Sequence, residues 1–101
     1  MKAVRFDWDA KKAGANLSKH GVTFEQAIGA FDDPFAMLAP DEKHSTRQEE
    51  RFWLIGCSAP GVLVVVFTKR DAGGVVRIIS ARKASRKERL VYEAFKTIPL
   101  S

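Results

Sequence analysis

The chain reads as an α+β domain: a helix pair near its start, an antiparallel sheet of about four main strands, and a helix at its end. Three observations carry this reading. Helix-capping residues stand ahead of stretches whose apolar residues recur at helical spacing. Runs of strand formers fill the middle, at 51–58, 62–69 and 75–83, divided by Ala59-Pro-Gly61 and Asp71-Ala-Gly-Gly74. Finally, 101 residues at 46% hydrophobic content suit a single domain, spanning 1–101, with enough apolar side chains for a core.

Taken in order, Val4 to Asp7 can form a short first strand. Asp9 offers an N-cap for a helix through Lys19, and Gly21 supplies a left-handed stop. Lys19 and His20 lie in the last turn, where the helix dipole favours cations. Thr23 and Gln26 make a capping box for a second helix, whose Phe24, Ala27, Ile28 and Phe31 form one stripe. Asp32-Asp-Pro34 ends it. Phe35 to Ala39 predicts a strand, and Asp41 to Glu50 a polar loop. The three longer strands follow, the last two joined by the hairpin-type connection Asp71–Gly74. Ser85 and Glu88 then form a second capping box, and Leu90, Val91, Ala94, Phe95 and Ile98 predict a core-facing stripe on the final helix. The order is β-α-α-β-β-β-β-α, with no linker, repeat or low-complexity segment.

Charge is unevenly placed. Residues 1–34, 35–68 and 69–101 balance to 0, −1 and +6, so the net +5 arises in the last third. Such a block fits a surface for polyanions, and it fits a solvated, solubilising face as well. No run approaches the roughly 18–20 apolar residues of a membrane helix. The opening Met1-Lys-Ala-Val-Arg-Phe-Asp-Trp8 carries charges where a signal peptide needs an apolar run. Cys57 is the only cysteine, which excludes an internal disulfide and a cysteine metal cage. A small cytoplasmic protein is the expectation.

The chemistry-bearing candidates cluster late. Arg70 ends one strand, and Arg77 and Arg82 flank the apolar centre of the next. Arginine suits phosphate because its planar fork donates two parallel hydrogen bonds and stays protonated. Residues 77 and 82 differ by an odd number, so a regular strand points them to opposite faces; one shared site requires a bulge or a strand end. Arg86, Lys87 and Arg89 occupy a first helical turn, where the dipole disfavours cations by roughly 0.3–1 kcal/mol each. With the free amides of that helix end they make a place for a phosphate. Lys69 and Lys83 extend the same basic segment. His44 stands in the polar loop, and Tyr92 falls one turn into the last helix, as packing or as a phenol presented to a ligand. No His-x-x-x-His spacing supports a metal, no elbow supports a nucleophilic serine, and no glycine pattern suggests a nucleotide loop.

Phe6-Asp-Trp-Asp9, Asn16, Lys19-His-Gly-Val22-Thr-Phe24 and Phe31-Asp-Asp-Pro34 resemble the opening of the BrnT toxin family. Asp41 with His44-Ser45, Glu50-Arg51-Phe52, Ile55-Gly56, Thr68, Arg70, the run Arg77-Ile-Ile-Ser-Ala-Arg-Lys-Ala84, Glu88 and Tyr92 resemble the rest. The resemblance covers nearly the whole chain, and 77–84 is its most specific part. It implies a RelE-like fold and the toxin of a type II toxin–antitoxin system. It further implies RNA cleavage without a metal or other cofactor, and neutralisation by a BrnA-type antitoxin in a hetero-oligomer. By the family pattern Arg70, Arg77, Arg82 and Tyr92 are the functional set, joined by His44.

The expected chemistry is attack of a 2′-OH on the adjacent phosphorus, giving a 2′,3′-cyclic phosphate and a free 5′-OH. The arginines would stabilise the phosphoryl oxygens, while His44, Glu42 and Tyr92 are the candidates for base and acid. Lys69, Lys83, Arg86, Lys87 and Arg89 would hold the RNA backbone. The alternative is a non-catalytic basic module that binds RNA or an antitoxin. A DNA-binding reading lacks a helix-turn-helix signature.

Overall fold

Three polar residues begin three helices, as their positions in the sequence predict. A computed structural model describes residues 4–97. In it the Asp9 carboxylate accepts from the Lys11 and Lys12 amides at the head of α1 (Ala10–His20). Thr23 and Gln26 close a reciprocal capping box on α2 (Phe24–Ala30), and Ser85 and Glu88 close another on α3 (Arg86–Lys96). Gly21, at φ 70°, takes the left-handed conformation that ends α1.

Among the described residues five strands form one sheet: β1 (Arg5–Asp7), β2 (Met37–Pro40), β3 (Arg51–Ser58), β4 (Gly61–Arg70) and β5 (Val75–Lys83), in the order β1-β5-β4-β3-β2. The expectation of four antiparallel strands needs correction. The four later strands are antiparallel, but β1 adds a fifth that runs parallel to β5. Strand β2 also starts two residues later than expected. The Phe35 amide binds Asp33 Oδ1 and the Ala36 amide binds the Asp33 carbonyl, so 33–36 forms a turn first.

Alternation divides the sheet into two unlike faces. On one face, Leu54, Leu63, Val65, Phe67, Val76, Ile78 and Ala81 pack against Val22, Phe24, Ala27 and Ala30 of the helix pair and its connecting turn. Phe24, Leu63 and Phe67 are at most 2% exposed, and burial of each contributes roughly 1.5–3 kcal/mol. Gly56 permits the close approach of β3 to α2: a Cβ there would lie 2.6 Å from the Ala30 carbonyl oxygen. Gly56→Ala is therefore expected to destabilise the fold by about 1–3 kcal/mol, measured as a fall in the urea midpoint.

Asn16 solves a problem at the side of β5. Strand β1 pairs with Val75–Arg77, so among the described residues the remaining length of β5 has no strand on that side. There α1 brings in the buried Asn16, whose Oδ1 accepts from the Ala81 amide at 3.1 Å. Its Nδ2 donates to the Ala81 carbonyl at 2.7 Å and to the Val22 carbonyl at 3.0 Å.

Among the described residues the second face is covered only at one end, where Tyr92 of α3 and Ala84 pack on Ile55 and Val64. This overturns the expected stripe on α3. Leu90, Val91 and Phe95 are 60%, 50% and 50% exposed, whereas Tyr92 is 1% exposed. Polar tethers set the rotation of the helix. Glu88 and Tyr92, one turn apart, are held by Arg82 and Asp33, and the apolar side chains turn outward. Ile98 lies outside the described residues. No helix among the described residues is long and apolar enough to cross a membrane.

Candidate functional site

A bulge in β5 decides which arginines share a surface. Val66 pairs with Ser80 and Phe67 with Ile78, so Ile79 has no partner on β4. The extra residue shifts the alternation by one, and Arg77 and Arg82 emerge on the same, largely open face. Register then orders that face in rows across the sheet. Asp7, Arg77, Thr68 and Arg51 form the first row. Ser80, Val66, Trp53 and Ala39 form the second, and Arg82, Val64, Ile55 and Met37 the third.

Over the second and third rows lies a cleft of about 640 Å³. Its floor is Trp53, Ile55, Val64 and Val66; one wall is Lys87, Glu88 and Val91 of α3, and the other is Asp41 and His44. The second wall is a 3-10 turn, Glu42–His44, stitched to the sheet by Ser45. The Ser45 hydroxyl accepts from the Arg51 amide at 2.8 Å and donates to the Asp41 carbonyl at 2.7 Å. Within the turn, Asp41 lies 2.9 Å from His44 Nδ1. That contact favours the tautomer with its proton on Nδ1, which leaves Nε2 as the proton-accepting nitrogen.

Arg82 is fixed by two parallel bonds to Glu88, 2.8 Å to Oε1 and 2.9 Å to Oε2. Glu88 also accepts from the Ser85 amide at 2.7 Å. The Arg82 hydrogen bonds, joined by those from Ser85 and opposed by burial, hold the Glu88 carboxyl at about 2, well below its ordinary 4.5. The same partner raises the Arg82 guanidinium, against the opposing effect of burial. A depressed carboxylate stabilises the fold above its unfolded value and loses that contribution as acid protonates it in the folded state. Stability is therefore expected to fall between about pH 4.5 and 2, and Glu88→Gln should flatten that part of a melting curve series.

Tyr92 points elsewhere. Its hydroxyl donates to Asp33 Oδ2, which also accepts from the Cys57 amide at 2.7 Å. Burial first, then the bond to Asp33 and its charge, push the phenol well above its ordinary value. Burial would raise the Asp33 carboxyl, but the Tyr92 hydroxyl and the Cys57 and Phe35 amides outweigh it and hold it low. Tyr92 thus ties α3 to the turn before β2 and does not line the cleft.

Of the expected residues, the structure brings His44, Arg82 and Lys87 together at the cleft. Arg70 and Arg77 share its face beyond its edge, paired with Glu49 at 3.6 Å and Asp7 at 3.2 Å. Lys69 and Lys83 fall on the helix-covered face by alternation, and Lys69 sits 4.7 Å from the Phe52 ring centroid. Arg86 and Arg89 are exposed on α3 and do not line the cleft. Glu42 begins the 3-10 turn but does not line the cleft either.

A family model described as the ribonuclease toxin BrnT of type II toxin-antitoxin systems matches residues 8–88. The chain belongs to the BrnT family. No curated protein matches it. BrnT proteins are ribonuclease toxins, so RNA is the substrate class and an antitoxin the partner class. The BrnT match contains His44, Arg70, Arg77, Arg82 and Glu88, and Tyr92 lies beyond its end. It also contains cleft residues that residue type alone does not single out as site residues, Asp41, Arg51 and Trp53. The alternation Arg51-x-Trp53-x-Ile55 is the signal that places the last two beside each other on one face.

Proposed function

We propose that this chain is the toxin of its type II pair and cuts RNA without a metal, by attack of a 2′-OH on the adjacent phosphorus. The observation that carries the reading is the Asp41–His44 pair lining the same cleft as Arg82 and Lys87. His44, held at Nδ1 by Asp41, accepts the 2′-OH proton at Nε2. Arg82 stabilises the charge on the phosphoryl oxygens. Lys87, on the α3 wall, gives a proton to the departing 5′-oxygen. Arg70 and Arg77 hold the RNA where it leaves the cleft on the side away from Arg82, with Arg86 and Arg89 attracting it. Tyr92 acts as a positioning residue, through the placement of α3. A sheet with its helix pair on one face, and arginines beside α3 on the other, supports the RelE-like part of the proposal. The neutralising partner is a BrnA-type antitoxin, acting in the cytoplasm. The +6 last third and the outward apolar side chains of α3 support an acidic, amphipathic segment as its contact.

The alternative, a binding module that does not cut, has one observation in its favour. Arg70, Arg77 and Arg82 are each engaged by a carboxylate of the chain itself, so RNA must displace or share those contacts. Cleavage in excess chelator separates the two. The proposal expects products ending in a 2′,3′-cyclic phosphate, no cut at a 2′-deoxy position, and a loss of about 10²–10⁴-fold for His44→Ala. Bound but intact RNA supports the module, and equal cutting at the deoxy position removes the mechanism.

A further inference from the structure

We infer that Trp53 is a stacking platform for a nucleobase of the bound RNA, an extension that rests on the ribonuclease reading of the cleft. The two tryptophans of the chain are placed very differently. Trp8 packs edge-on against Phe24, 5.8 Å between centroids, on the helix-covered face. Trp53 lies in the middle of the open face, partly buried, in the floor of the cleft. Among the described residues it makes no ring–ring contact, although four other aromatic pairs form on the opposite face. It packs against the small cluster under α3, yet it still lines the cleft beside that helix.

The surroundings select the ligand. A purely apolar partner would gain nothing from Arg82, Lys87 and His44 on the same cleft, and an inorganic phosphate would gain nothing from an indole. A nucleotide uses both, with a π-face for the indole and a phosphate for the cations. The rows of the sheet make the spacing suitable. Arg51 and Arg77 stand one row to one side of Trp53, and Arg82 one row to the other. Rows two residues apart are separated by about 6.8 Å along the strand, so cations flank the indole on both sides at nucleotide scale.

The test compares a short 2′-O-methyl RNA, which binds but cannot be cut by the proposed route, with polyphosphate of equal charge. Wild-type protein is expected to prefer the RNA, and Trp53→Leu to lose about tenfold to hundredfold of that affinity while holding polyphosphate unchanged. Trp53→Phe, which keeps a ring, should retain most of the preference. Unaltered RNA affinity in a folded Trp53→Leu variant overturns the inference. If that variant fails to fold, emission from Trp53 in a Trp8→Phe background serves instead. RNA should quench it and polyphosphate should not; equal quenching by both, or none under saturating RNA, overturns the stacking role. RNA cleavage by the wild-type protein is scored separately, so loss of the ribonuclease reading is distinguishable from loss of the platform.

Discussion

Arg82→Ala is expected to lower RNA cleavage by about 10²–10³-fold, with little change in stability. The rate effect follows from removing a preorganised cation aimed at developing phosphoryl charge. The small stability effect follows from exposure: the Arg82 side chain is 42% exposed, and an ion pair open to solvent contributes about 0–1 kcal/mol. Because Arg82 also holds Glu88, the single variant has two consequences. It removes a cation and leaves a carboxylate where phosphate should sit. Glu88→Gln separates them, since glutamine preserves the capping box with Ser85 and removes the competing charge. If Arg82 acts on RNA, the double variant stays slow. If it serves only to hold α3 through Glu88, the double variant matches Glu88→Gln alone. Arg82→Lys should recover binding better than rate, because an ammonium lacks the two-bond fork that Glu88 engages at 2.8 and 2.9 Å. Single-turnover cleavage and binding of uncut RNA, measured side by side, read both outcomes.

Local chemistry made much of this fold legible. Capping boxes at Thr23–Gln26 and Ser85–Glu88 fall where the sequence puts them, because each is a contact between residues three apart. Strands β3 to β5 follow from apolar runs and turn residues, for the same local reason. What stayed hidden depends on distant partners. The Ile79 bulge carries no glycine to mark it, and it is visible only as a register shift between β4 and β5. Without it Arg77 and Arg82 would face opposite ways. The rotation of α3 defied its apolar periodicity because Arg82 lies six residues before Glu88 and Asp33 lies 59 before Tyr92. Periodicity weighs burial of hydrocarbon and gives no weight to a charged hydrogen bond between separated segments. The same limit applies to the site. His44 and Arg82 stand out by residue type, but only the pairing of β3 with β4 and of β4 with β5 puts Trp53 between the cations.

Asn16→Ala is expected to produce the largest loss of stability from a single polar residue, about 3 kcal/mol. Three hydrogen bonds converge on this side chain, and alanine leaves the Ala81 amide and the Ala81 and Val22 carbonyls without it. Leaving a buried backbone group unsatisfied costs about 1–3 kcal/mol, and water entering the gap would offset part of the sum. For a chain of this length each kcal/mol lowers the melting temperature by about 4–8 °C, so a fall near 15 °C is expected. Asn16→Asp tests the cause. An aspartate can still accept from the Ala81 amide, yet it presents negative charge to two carbonyl oxygens at the places where Nδ2 donated. Burial and those carbonyls both favour the protonated acid, so its folded-state pKa is raised. The sign is then fixed: the Asp variant is most stable below the unfolded carboxyl value and weakens as pH rises through the folded one. Asn16→Ala should show no such dependence beyond that of the wild type. Melts from pH 3.5 to 8 read that dependence, because a buried carboxylate facing two carbonyl oxygens makes the aspartate worse than alanine at neutral pH. An aspartate variant that tracks alanine across that range would mean that the Ala81 backbone finds other partners, and that α1 holds the side of β5 by packing alone.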